Sequence, residues 1–147
     1  MRILVDADAC PGKKLIEKAA RENDIELIFY CDISHIIESS YASVNYVDQC
    51  FQSVDIVLTN KCKKNDLIVT QDYGVAAMVL GKGAYAINPR GYIYDDQNID
   101  RLLFERHISA KIRRSGGKTK TIRKRAVDDD NRLYNNILKL IYKIKCQ

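Results

Sequence analysis

Apolar and polar positions along the chain form two alternating patterns. Short, nearly continuous apolar runs are typical of strands covered on both faces. Stretches in which apolar residues recur every three or four positions are typical of helices that bury one face. The apolar runs predict strands at Arg2–Asp6, Ile25–Tyr30, Val44–Val47, Leu67–Thr70 and Ala84–Ile87.

Helical spacing appears between these runs and again after them. It predicts helices at Pro11–Glu22, at Asp48–Lys61, over Val75–Leu80, from about Ile99 toward Arg114, and at Asp129–Lys145. Serine-rich residues 31–43 and the basic residues 115–125, which contain Gly116-Gly117, predict loops.

Strands and helices in this order predict an α/β fold, a three-layer sandwich around a mostly parallel sheet of about five strands. The chain has 147 residues, a length that suits one domain, with residues 101–147 as a basic extension. The apolar runs are too short to cross a bilayer, and Asp6 and Asp8 interrupt the apolar start that a signal peptide would need. We therefore expect a cytoplasmic protein with no membrane partner. Five widely spaced cysteines without a Cys-x-x-Cys pair predict reduced thiols.

Charge is divided unevenly along the chain. Residues 1–100 contain 10 Lys and Arg against 15 Asp and Glu, whereas residues 101–147 contain 14 against 4. The basic excess favours binding of RNA or another phosphate-bearing polyanion, although a solvated basic loop is the alternative. The residues predicted to bind nucleic acid are Arg106, Lys111, Arg113, Arg114, Lys118, Lys120, Arg123, Lys124 and Arg125.

Four aspartates are the candidate catalytic and metal-binding residues. Asp6 and Asp8 follow one strand, Asp72 follows another, and Asp55 lies in the helix before the second strand. Ligands of open α/β folds bind at the carboxyl edge of the sheet, and neighbouring carboxylates there repel each other unless a cation is present. Oxygen-only ligands select Mg²⁺ or Mn²⁺, which activates water for phosphodiester cleavage.

Single aspartates at such positions also have structural roles. An aspartate after a strand often caps the next helix or forms a turn through its own side chain. Asp24 and Asp66 are assigned to such roles. Asp48 has two possible interpretations. It caps its helix, or it supports the aspartate cluster from its rim.

Several motifs resemble the YaiI/YqxD family of small bacterial proteins. These motifs are Asp-Ala-Asp-Ala-Cys-Pro at 6–11, Val-Thr-Gln-Asp-Tyr-Gly-Val-Ala at 69–76, Gly-Lys-Gly-Ala at 81–84, Asn98-Ile99-Asp100 and Arg-Arg-Ser-Gly-Gly-Lys-Thr-Lys at 113–120. The family is grouped with PIN-like folds, many of whose members are Mg²⁺- or Mn²⁺-dependent ribonucleases. The resemblance implies site positions at Asp6, Asp55 and Asp72, with Thr70 supporting. For the further acidic position of PIN domains, it offers Glu38 or Asp8.

Three functions follow as hypotheses. The first is a metal-dependent nuclease that acts on RNA through the clustered aspartates. The second is a noncatalytic RNA-binding or ribosome-associated protein. The third is a phosphohydrolase that acts on small molecules.

Overall fold

The part of the chain that the structure describes contains one six-stranded sheet. The structure, a computed structural model, describes residues 1–8, 10–119 and 123–147. The strands are β1 (Arg2–Asp6), β2 (Glu26–Asp32), β3 (Ser43–Val47), β4 (Leu67–Val69), β5 (Tyr85–Ile87) and β6 (Ile93–Tyr94). Their spatial order is β3-β2-β1-β4-β5-β6, and all neighbours are parallel except β5 and β6.

Among the described residues, five helices cover the two faces of this sheet. They are α1 (Lys13–Glu22), α2 (Val54–Lys61), α3 (Tyr73–Gly81), α4 (Asp96–Arg114) and α5 (Val127–Lys145). Helices α1 and α5 bury their apolar side chains against one face, whereas α2, α3 and the start of α4 pack against the other. The α/β class and the three-layer arrangement predicted from the sequence are thus confirmed.

Alternation along β1 shows how the strand divides the two cores. Ile3 and Val5 point toward α1 and α5, while Leu4 points toward α2 and α3, and all three are fully buried. The apolar runs are continuous because side chains on both faces of the sheet are covered. No helix in the described ranges is both long and apolar enough to cross a bilayer.

Apart from shifts of one to three residues at the ends of elements, two local predictions differ from the structure. The helix predicted at Asp48–Lys61 begins only at Val54, because the backbone amides of Phe51 and Gln52 donate to the Asp48 carbonyl in a separate turn and Ser53 caps α2. The sheet also gains a sixth strand, β6, whose two residues are too few to produce a periodic signal.

The turn between β5 and β6 packs directly on α5. Gly91 has a φ of +89°, and a Cβ atom at this position would lie 2.4 Å from the backbone nitrogen of Leu133. The Asn136 side chain donates to the Gly91 carbonyl at 2.6 Å, and Arg132 donates to the Arg90 carbonyl at 3.0 Å. Glycine is therefore required here both for its backbone conformation and for the close approach of the helix.

Replacing this glycine tests the packing. We expect Gly91→Ala to lower the free energy of unfolding by about 3 kcal/mol, because a methyl group meets the α5 backbone and left-handed φ is strained. Urea denaturation measures this loss. The matched control is Gly81→Ala, which has open space and ordinary φ at the end of α3, and should be neutral or more stable by up to about 1 kcal/mol. Equal stability of the two variants would contradict the packing.

Candidate active site

The buried side chain of Thr70 joins the ends of the two central strands. Val5 of β1 pairs with Val69 of β4, so both strands end side by side at the carboxyl edge. The Thr70 hydroxyl donates to Asp6 Oδ2 at 3.3 Å and accepts from the backbone amide of Asp72 at 3.1 Å. Successive strands extend the sheet in one direction from β1 to β3 and in the other from β4 to β6, so strand order reverses between β1 and β4, which is where open α/β sheets bind ligands.

Asp72 caps α3 and contacts a cation from α4. Its Oδ1 atom accepts from the backbone amides of Gly74 at 2.7 Å and Val75 at 3.2 Å, as expected of a helix N-cap. The same oxygen lies 3.5 Å from Arg106 Nη1. Arg106 was predicted as a nucleic-acid contact, and the structure places it at the acidic edge.

Asp55 lies in the first turn of α2 and takes part in the same electrostatic environment. Burial raises the pKa of its carboxyl, and the charges of Asp72 and Asp8 raise it further, whereas Arg106 lowers it. The helix cap is Ser53, which accepts from the backbone amide of Ile56. The Asp55 carboxylate is thus not needed as the N-cap of its own helix.

Asp8 contacts the connection that follows β2. Its Oδ1 atom accepts from the backbone amide of Asp32 at 2.7 Å and lies 3.4 Å from His35 Nδ1. His35 was not predicted as a site residue. It lies in a loop without hydrophobic periodicity, so the sequence offered no signal for its approach to Asp8.

The electrostatics of Asp6 show that the four carboxylates are neighbours. Burial raises the pKa of the Asp6 carboxyl to about 6, with further increases from Asp55, Asp8 and Asp72 and an opposing effect from the Thr70 hydrogen bond. The structure therefore places the other three predicted aspartates within electrostatic range of Asp6. Their mutual repulsion is the condition that a bound cation relieves.

These carboxylates fit a metal in type but do not form a closed ligand set. Carboxylate oxygens suit Mg²⁺ or Mn²⁺. Within residues 1–8, 10–119 and 123–147, however, no group of three His, Cys, Asp or Glu side chains is arranged to hold a metal ion. Asp8 and Asp72 already accept hydrogen bonds from backbone amides. Metal binding would require these side chains to rearrange.

Two other acidic candidates lie apart from this arrangement. Asp48 ends β3 in a turn, where its Oδ1 atom accepts from the backbone amide of Cys50 at 2.9 Å. It therefore does not cap α2 as one reading proposed, because that helix begins later. Glu38 is exposed in the connection between β2 and β3 rather than in a helix.

The predicted basic residues fall into two groups. Lys111, Arg113 and Arg114 are exposed on the last turns of α4, and the exposed Lys118 follows that helix. Lys120 lies outside the described residues. The first group therefore extends a positive surface away from the acidic edge along α4.

The second basic group is partly neutralised by α5. Arg123 lies 2.6 Å from the buried carboxylate of Asp129, and Arg125 lies 2.7 Å from Asp130. The Arg123 guanidinium holds the pKa of Asp129 well below its usual range. Lys124, between them, is exposed. The two arginines thus anchor the start of α5 as well as adding positive charge.

Comparison with known proteins places the chain in a family. Residues 4–143 match the sequence model described as "Uncharacterized BCR, YaiI/YqxD family". The chain belongs to the YaiI/YqxD family. A UPF0178 protein of Clostridium tetani is 68% identical over 145 residues, which cover 99% of both chains. A UPF0178 protein of Clostridium novyi is 67% identical over 145 residues, or 99% of this chain and 97% of the relative. No solved structure matches the chain significantly.

The acidic edge should destabilise the metal-free protein. The Asp6 pKa is about 6 in the fold rather than 3.8, so the fold favours the protonated carboxyl. The stability that this preference adds is fully present below about pH 4 and is lost as pH rises through about 6. We expect Asp6→Asn to be more stable than the unmodified protein by about 1–2 kcal/mol near pH 7.5, in chelator, after allowance for partial exposure. The difference should vanish below about pH 4.

Urea denaturation across this pH range measures the effect. Asp100→Asn, at an exposed position of α4, is the control and should show no such pH-dependent gain. An Asp6→Asn variant that is less stable than the unmodified protein near neutral pH would contradict the raised pKa of Asp6.

Proposed function

We propose that this protein is a Mg²⁺- or Mn²⁺-dependent nuclease that acts on RNA. The observation that supports this function best is the group of carboxylates at the carboxyl edge, where burial and then the charges of Asp55, Asp8 and Asp72 raise the pKa of Asp6 to about 6. Keeping these charges together costs stability, and such costs are typical of functional sites. The PIN-like resemblance of the same positions gives independent support.

Each acidic residue has a role in this proposal. Asp6, Asp55 and Asp72 would hold the ion, with Asp8 beside them, and the buried Thr70 hydroxyl positions Asp6 relative to the backbone before Asp72. When bound, such an ion activates water and stabilises charge that develops on the phosphate.

Arg106 is the cation that the ion would replace. Its side chain is 56% exposed and lies 3.5 Å from Asp72 Oδ1, so it is a loosely held counterion. Once Asp72 is neutralised by a metal, the guanidinium is free to contact a phosphate of the strand. Lys111, Arg113 and Arg114 continue the positive surface along α4 and would bind further phosphates without reading sequence.

Cleavage of single-stranded RNA tests the proposal. We expect cleavage that requires Mn²⁺ or Mg²⁺ and falls at least about 100-fold in Asp6→Asn and in Asp72→Asn, because each loses a charged ligand. Asparagine is itself a good N-cap, so Asp72→Asn should keep α3. The control, Asp128→Asn, lies at an exposed position of α5 and should cleave normally.

Other outcomes identify the alternatives. Cleavage that survives both substitutions would come from a contaminating nuclease. Metal-dependent hydrolysis confined to nucleotides or sugar phosphates would instead indicate a phosphohydrolase of small molecules. Both results would contradict RNA cleavage by this site.

Noncatalytic RNA binding is a second candidate, supported by the backbone hydrogen bonds that already occupy Asp8 and Asp72.

In either case we expect replacement of Lys111, Arg113 and Arg114 by Gln to weaken RNA binding and to reduce the slope of log affinity against log salt by about 2. The charge-matched control replaces Lys139, Lys143 and Lys145, which are exposed on α5. Fluorescence anisotropy measures the RNA affinity of both triple variants. Equal losses of affinity would show that RNA does not bind preferentially along α4.

A further inference from the structure

A cavity lies at the carboxyl edge, beside the acidic residues. It has a volume of about 320 Å³, within the range of small-ligand pockets. Gln71 and Tyr73, the two neighbours of Asp72 in the chain, form part of its wall. Pro11, Asn88, Arg90 and Arg125 contribute from other segments. The cavity therefore lies on the β5 side of the point where strand order reverses.

The lining of this cavity is positively charged. Among the residues that the structure describes, its charged lining residues are Arg90 and Arg125, and no carboxylate lines it. Asp130 contacts Arg125 but is not part of the lining. Planar guanidinium groups are suited to phosphate, which they bind through paired hydrogen bonds.

Arg125 is held rigidly at this position. Its Nε atom donates to Asp130 Oδ1 at 2.7 Å, and its Nη1 atom donates to the Pro89 carbonyl at 2.5 Å. Its Nη2 atom is buried and lies 2.7 Å from Asp130 Oδ1, but it has no hydrogen bond of good geometry in the described structure. Gly12, at φ +82°, leaves the room for this guanidinium, because a Cβ there would lie 2.8 Å from Nη2.

The charge of Arg90 is less compensated by carboxylates than the charge of Arg125 is. Its guanidinium donates to the carbonyl of Arg123, while its backbone amide donates to Asn88 Oδ1 at 2.8 Å. Within the described part of the chain, no carboxylate oxygen lies within 4.0 Å of its guanidinium. The Gly91 contact with α5 fixes the turn on which Arg90 lies. The positive charge is therefore placed at the cavity by the fold itself.

We infer that this cavity binds the terminal phosphate of an RNA strand. Two guanidinium groups match the charge of a phosphate monoester better than that of an internal diester, and a concave pocket accommodates an end rather than a continuous strand. The walls supplied by Gln71 and Tyr73 place such a phosphate next to Asp72. Only the identity of the ligand as RNA rests on the proposed function, since the pocket needs no metal.

Binding in the absence of cleavage tests this inference. Short single-stranded RNAs with an internal fluorophore and with a 5′-phosphate, a 3′-phosphate or hydroxyl ends are titrated against Asp6→Asn protein in chelator. We expect one of the phosphorylated strands to bind about 10-fold more tightly than the hydroxyl strand, and inorganic phosphate to abolish that difference. The preferred strand identifies which end enters the cavity.

Substitution of Arg90 assigns the effect to the cavity. In the same background, Arg90→Gln should reduce the preference to within about 2-fold, whereas Arg90→Lys keeps the charge and should retain part of it. Arg101→Gln removes the same charge from an exposed position of α4 and should leave the preference unchanged. Circular dichroism verifies folding, and Arg125→Gln is the second variant should Arg90→Gln unfold.

Two results would overturn the inference. One is equal affinity for all three strands in the Asp6→Asn background. The other is a preference that persists in folded Arg90→Gln protein, or in Arg125→Gln protein if Arg90→Gln does not fold. Neither result bears on metal-dependent cleavage, and absence of cleavage would not remove the preference, so the two proposals fail separately.

Discussion

The parallel pairing of β1 with β4 is the constraint on which the candidate site depends. It ends both strands at the same level, so that Asp6 and Asp72, far apart in the chain, flank the buried hydroxyl of Thr70. Because strand order reverses between β1 and β4, the helices that follow these two strands, α1 and α3, pack on opposite faces of the sheet and leave a crevice between the strand ends. Both the acidic cluster and the arginine-lined cavity open at this crevice.

Opposite charges are separated in the chain but adjoin in the fold. The acidic first part supplies the carboxylates, while α4 returns Arg106 to within 3.5 Å of Asp72. Burial raises the pKa of Asp6 and the charges of Asp55, Asp8 and Asp72 raise it further, whereas Arg106 lowers the pKa of Asp55. An added cation would reduce the repulsion among these carboxylates. The basic surfaces beside them are suited to a polyanion that such a cation would help to bind.

The main elements could be predicted from the sequence because buried strands and amphipathic helices impose regular patterns. Strands β1 and β4 were predicted together with the aspartates that follow them. The start of α2 was not, since the turn at Asp48 replaces the first part of the predicted helix. His35 and Arg90 were missed for another reason: each lies in a connection without periodicity, and only tertiary packing brings it to the carboxyl edge.

The proposed nuclease function requires that aspartates from β1, α2 and the end of β4 hold one divalent cation. A crystal soaked in Mn²⁺ and measured at the manganese absorption edge tests it most directly. We expect one anomalous peak at about 2.0–2.3 Å from carboxylate oxygens of at least two of Asp6, Asp8, Asp55 and Asp72, with Arg106 displaced from Asp72. The proposal would be contradicted if manganese bound elsewhere in the crystal, no peak appeared among these carboxylates, and Arg106 still contacted Asp72.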